Sequence, residues 1–289
     1  MLILTRSLGA AAAVLLLVST SVLAQVRTGR PRVTEGAAQR LQRLEPLIAN
    51  AMTQQRLPGA VVLVGGPDRT LYQKAFGRRA IVPSPEAMTT DTIFDVASLT
   101  KVVVTTTSVM MLLERGQLGL DEPVATYIPE FGKYGKERIT IRHLLTHVSG
   151  LRGDLDMALE FQGAEAAIRL AAEEVPVAPP GARLIYSDIN FFLLGEIVTR
   201  ISGERLDAFA RTHIFEPLAM RETTFLPTAS LRPRIAPTEP CAPLAWPCGG
   251  PPQLMLRGVV HDPTARRMGG VAGHAGLFST AADLSRFCR

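Results

Sequence analysis

Lysine is scarce in this sequence: of 31 basic residues only Lys74, Lys101, Lys133 and Lys136 are lysine, and the rest are arginine. Where a plain cation suffices the chain carries Arg, so each lysine asks for a reason that arginine cannot meet, such as the ability to lose a proton. Runs of like charge are missing too. The 26 acidic residues leave a net charge of +5, scattered and without interleaved aromatics, which excludes nucleic acid as a partner. A composition 47% hydrophobic and 20% charged excludes a disordered or fibrous chain. Cysteine is limited to three residues, enough for one disulfide. Cys241 and Cys248 flank a proline-bearing turn and are expected to pair in an oxidising compartment, leaving Cys288 over. No zinc pattern is present, since His143 and His147 are four apart but HExxH and a third ligand are lacking.

Long apolar runs are confined to the first 24 residues. Arg6, the stretch from Ala10 through Val18 to Leu23, and Val22-Leu23-Ala24 predict a signal peptide over 1–24, cleaved after Ala24. The run falls short of the about 20 apolar residues that a membrane span needs. The next one, Val102 to Leu113, carries four hydroxyl residues. The expectation is an exported protein, periplasmic or secreted, with no stable membrane anchor after cleavage.

The remainder reads as one domain over 35–289 that segregates helix from strand, an α+β pattern. Leu41, Leu44, Leu47, Ile48 and Met52 repeat with helical spacing and predict a helix over 35–55. Residues 60–64 and 70–76 predict two strands joined by a Gly65-Gly66-Pro67-Asp68 turn. Further helices are expected over 99–115, 139–147, 187–202 and 205–212. From Pro227 to Pro263 nine of the 21 prolines mark a long irregular connection.

Chemistry concentrates in Phe94-Asp95-Val96-Ala97-Ser98-Leu99-Thr100-Lys101, where a serine precedes a helix and a lysine follows one turn later. Residues three apart share a helix face. Twelve serines and four lysines give about 0.17 Ser-x-x-Lys matches by chance, so the spacing alone is weak. Its setting is stronger. A cation in the first helical turn opposes the macrodipole, and Val102-Val103-Val104 follows where a surface charge would want polar company. Ser98 as nucleophile and Lys101 as its base explain both features. Eighty-eight residues after Ser98, Tyr186 sits in a turn before an apolar helix, a place suited to a phenol that relays protons, or equally to a packing anchor.

These segments resemble the serine β-lactamase and penicillin-binding-protein-like hydrolases, in the branch of class C β-lactamases, esterases and D-aminopeptidases. The resemblance rests on Thr92 to Lys101, Ile139 to Leu151 (Ile-Thr-Ile-Arg-His-Leu-Leu-Thr-His-Val-Ser-Gly-Leu), Tyr186-Ser187-Asp188, Glu216 to Met220 and Gly276 to Leu284. It implies an antiparallel sheet flanked by helices plus a helical region, with the site between them. It implies Ser98 as the acylated nucleophile, Lys101 as base, Tyr186 as proton relay, Asp188 beside the substrate, and no cofactor or metal. The Ser98 backbone N–H would supply one oxyanion donor. The substrate would be an ester, β-lactam or D-amino-acid peptide. A non-catalytic ligand-binding relative is the alternative, and no feature points to a scaffold role or fixes an oligomeric state.

Two departures from the pattern stand out. Asp188 replaces the family's usual Asn, exchanging an amide donor for an acceptor-only carboxylate. The family's third motif, Lys-Thr-Gly or His-x-Gly on a strand, is matched in letters by His274-Ala275-Gly276. That stretch runs into Ser279-Thr280-Ala281-Ala282-Asp283, the capped start of a helix. A substrate-binding role for His274 is therefore the lesser expectation. The greater one is that the third motif and the final strands lie beyond Arg289.

Overall fold

Pro46 decides the first departure from the sequence reading. The computed structural model, which describes residues 35–241 and 254–289, has two helices where one is expected: α1 (Glu35–Gln42) and α2 (Leu44–Thr53). A proline ring clashes with the carbonyl four residues back, here Gln42, so the helix breaks at Arg43. The expected signal peptide over 1–24 and Cys248 lie outside the described residues.

Strands β1 (Gly59–Gly65) and β2 (Thr70–Ala80) form the expected antiparallel hairpin, with Val61 opposite Ala75 and Leu63 opposite Gln73. Gly66 N–H closes the turn on the Arg69 carbonyl at 2.8 Å. Strand β3 (Glu86–Ala87) lies along the other side of β2, and β4 (Phe94–Asp95) leads directly to the Ser98 segment. Residues 101–106 then form a π-helical turn that runs into α3 (Thr107–Glu114), and Gly116 ends it at φ 67°.

The helical region follows as α4 (Ile141–Leu145), α5 (Ala164–Glu173), α6 (Asp188–Ser202) and α7 (Leu206–Ala210). After it come β5 (Thr224–Phe225), α8 (Pro263–Arg267), β6 (Leu277–Ser279) and α9 (Ala281–Phe287). Strand β6 lies between β4 and β5 in a second antiparallel sheet, so Ser98 is fed from an edge strand whose partner is the chain just after His274. Thr280 caps α9 by accepting from Asp283 N–H, as the sequence pattern predicts.

One apolar cluster joins Val103, Val104, Val109 and Leu112 to Phe192, Leu194, Ile197 and Val198 of α6. Each such side chain contributes roughly 1.5–3 kcal/mol by leaving water, which makes the Ser98 helix and α6 a rigid pair. Helix α5 has no counterpart in the sequence reading. Its inward face is Ala167, Ile168, Ala171 and Ala172, and alanine is too weakly apolar to stand out as a helical period.

Glu86 of β3 holds the segment after residue 253 in place. Arg257 donates to both its carboxylate oxygens at 2.7 Å, and Arg79 donates at 3.1 Å. The hydrogen bonds to Arg257 outweigh the burial that opposes them and, with Arg79, hold its pKa at about 2 against an ordinary 4.5. A depressed carboxylate pKa gives stability that is complete above about pH 4.5 and is lost as pH falls toward 2. Glu86→Gln is expected to lower stability at pH 7 by about 1–2 kcal/mol, and the gap between the two melting curves closes below pH 4.5. A gap of constant size down to pH 2 would contradict the ion-pair account.

Candidate active site

Ser98 stands at a strained turn. The residue before it, Ala97, has φ 46°, a left-handed conformation that costs a residue with a Cβ of order 1 kcal/mol and needs support. The support is Asp95, whose Oδ1 accepts from Ala97 N–H at 2.9 Å while Oδ2 accepts from His261 N–H at 2.7 Å. Burial raises the pKa of Asp95 despite these bonds. Thr100 Oγ1 closes the turn on the Ala97 carbonyl at 2.7 Å. Ser98 itself is exposed, and among the described residues its N–H has no recorded acceptor, so it remains available to an incoming oxyanion.

Lys101 lies beneath it, buried. Its Nζ donates to Ser98 Oγ at 3.0 Å and to the His274 carbonyl at 3.1 Å. Asp188 Oδ1 is 2.6 Å away as an ion pair, without the alignment of a hydrogen bond. The rings of Tyr186 and Phe191 flank the amine, with centroids 4.9 and 5.8 Å from Nζ. Three stretches far apart in the chain therefore meet on one nitrogen.

The Tyr186 turn is clamped by His147, which sequence reasoning set aside. The His147 carbonyl accepts from Ile185 N–H at 2.8 Å, its Nδ1 accepts from Ser187 N–H at 3.1 Å, and its ring stacks on Tyr186 at 4.4 Å. Burial, then the charge of Lys101, lowers its pKa, which favours the neutral ring that this acceptor role needs. Asn190 Nδ2 sits 3.3 Å from the same Nδ1, while its Oδ1 accepts from Ser149 Oγ at 2.6 Å. No sequence signal set His147 apart, because the same segment also carries Thr140, Arg142, His143 and Thr146; in the structure His147 takes a left-handed φ of 57°. His143 is engaged elsewhere, with Nδ1 on Thr140 at the start of α4.

His274 corrects the expectation attached to its side chain. The ring is fully buried, with Nε2 2.9 Å from Asp262 Oδ1 and its edge against Phe192. A ring sealed from solvent cannot contact an arriving substrate, and it is the backbone carbonyl of His274 that reaches the site. Among the described residues no group of three or more His, Cys, Asp or Glu is arranged to hold a metal. Cys241 is buried and disulfide-bonded, and Cys288 is free and exposed.

Comparison with known proteins places the fold. A family model described as Beta-lactamase matches residues 44–289. A Salmonella agona protein named "Putative D-alanyl-D-alanine carboxypeptidase" is 30% identical over 86% of this chain and 63% of its own length. The chain thus spans less than two thirds of that relative. Among solved structures, the hydrolase EstCE1, titled as having promiscuous acyltransferase activity, superposes at TM-score 0.70 with 25% identity, covering 87% of this chain and 72% of its own. A class C β-lactamase from Rhodobacter sphaeroides shares the fold at TM-score 0.67 and 23% identity, covering 85% of this chain and 64% of its own.

Proposed function

From a chain that belongs to the β-lactamase family, we propose a serine hydrolase that works through an acyl-enzyme, with Ser98 as nucleophile, Lys101 as base and Tyr186 as proton relay. The observation that carries this reading is the single nitrogen of Lys101, 3.0 Å from an exposed hydroxyl and surrounded by oxygens and aromatic rings. Ser98 Oγ bonds to the substrate carbonyl carbon as its proton passes to the Lys101 amine. The resulting oxyanion meets the Ser98 N–H. The ammonium then returns the proton, directly or through the Tyr186 phenol, to the leaving group as the scissile bond breaks. Water repeats the cycle on the acyl-enzyme and restores Ser98.

The substrate is an ester, β-lactam or D-amino-acid peptide, met after export to the periplasm or medium. The disulfide at Cys241 supports that compartment. One observation favours the alternative of binding without turnover: Asp188, 2.6 Å from Nζ, holds Lys101 as an ion pair, and an ammonium cannot accept a proton. Treating the purified exported chain with a fluorophosphonate separates the readings. The expected result is one phosphonyl group, mapped by peptide mass spectrometry to Ser98, on a protein whose intact mass lacks residues 1–24. An unmodified Ser98 would leave only the binding reading, and retention of 1–24 would remove the export claim.

A further inference from the structure

The carbonyl on which Lys101 rests belongs to a stretch with little rigidity of its own. Gly269-Gly270-Val271-Ala272-Gly273-His274-Ala275-Gly276 has four glycines in eight residues, and only Val271 and His274 carry side chains larger than a methyl group. Gly269, Gly270 and Gly276 have φ of 93°, 84° and 113°. Glycine reaches such angles freely, but it leaves the backbone many alternatives that something else must remove.

Two threonines hold the flanks. Thr105 Oγ1 donates to the Gly273 carbonyl at 2.6 Å, and Thr100 Oγ1 accepts from Leu277 N–H at 3.2 Å. Gly273 packs so closely on α6 that a Cβ there would lie 2.0 Å from the Phe191 carbonyl. Between these pins the one large anchor is the His274 ring, bonded at 2.9 Å to Asp262. Asp262 is itself fixed, because its Oδ1 also accepts from Ala265 N–H at 2.7 Å as the cap of α8. Burial would raise its pKa, but the hydrogen bond and charge of His274, helped by the Ala265 N–H and the charge of Lys101, bring it to about 2. The acceptor facing His274 is thus an ionised carboxylate, the stronger kind.

We infer that the pair formed by the buried His274 ring and the half-buried Asp262 carboxylate is a positioning device for the active site: it fixes the His274 carbonyl, and through it the Lys101 amine, under Ser98. Neither side chain touches substrate. The consequence for catalysis rests on Lys101 being the base, whereas the hold on Lys101 does not, and the two can be measured apart.

With only four lysines in the chain, acylation of Lys101 by an N-hydroxysuccinimide ester is resolved by peptide mass spectrometry. His274→Phe keeps a buried ring without the donor, while His274→Gln restores an N–H near the position of Nε2. In His274→Phe, Lys101 is expected to acylate about tenfold faster than in the parent, and the maximal rate of Ser98 phosphonylation to fall about 10- to 100-fold with the reagent's half-saturating concentration unchanged. His274→Gln should return both within about threefold of the parent. Asp262→Asn, which keeps the helix cap but not the charge, covers the case in which the Phe variant does not fold, and it should shift both readouts in the same direction. Equal behaviour of the Phe and Gln variants, or unaltered Lys101 reactivity in Asp262→Asn, would overturn the inference. A parent protein that protects Lys101 but leaves Ser98 unlabelled would instead remove the hydrolase reading and leave the positioning role standing.

Discussion

Lys101→Arg is expected to slow phosphonylation of Ser98 by about 10²- to 10⁴-fold at neutral pH, the usual range for loss of a general base, and Ser98→Ala to abolish it. Arginine keeps the charge and can still pair with Asp188, so a purely electrostatic role for the residue would survive the change. It cannot take the Ser98 proton. Thermal melting of the variant separates a lost base from a lost fold. A well-folded Lys101→Arg protein labelled within threefold of the parent would end the assignment of Lys101 as base.

The parts of this site that could be read from the sequence are those set by helical spacing. Ser98 and Lys101 are three apart at a helix start, so their contact follows from backbone geometry alone, and the placement of Tyr186 before α6 follows from the apolar period of that helix. The rest depends on contacts without a local signature. His147 serves partly through a carbonyl, and His274 meets Lys101 through a carbonyl as well, a group every residue possesses. The letters His-Ala-Gly carried only the lesser expectation of a side chain facing substrate. What they mark is a buried ring in a stretch with four glycines in eight residues. The same limit applies to the fold: the β1–β2 hairpin announces itself by its Gly65-Gly66-Pro67-Asp68 turn and α6 by its apolar period and terminal Gly203, whereas α5 hides behind alanines and the one-residue break at Arg43 depends on a proline three positions later.

The scarcity of lysine has a second explanation at Lys136, and it sets the largest stability effect expected outside the site. This side chain is fully buried, with Nζ 2.9 Å from the Ala172 carbonyl and 2.5 Å from that of Glu174, at the C-terminal end of α5. The rings of Phe131 and Tyr134 lie over it at 5.1 and 5.0 Å. The cation thus supplies the donors that the last turn of a helix lacks, at the end where positive charge is favoured. Two hydrogen bonds from a charged group are worth about 3–6 kcal/mol. Burial first, and then the charge of Lys133, pulls the Lys136 pKa below the ordinary lysine value, so desolvation offsets part of that gain. The net expected for Lys136→Met is about 3 kcal/mol, seen as a fall in melting temperature of roughly 6–12 °C for a chain of this size. Lys133→Ala is the control, since Lys133 pairs with Glu173 at 38% and 58% exposure, and an exposed pair is worth at most about 1 kcal/mol. Melting curves of the two variants recorded side by side decide the point. Equal, small shifts would mean that the α5 carbonyls find other donors and that Lys136 is not the cap.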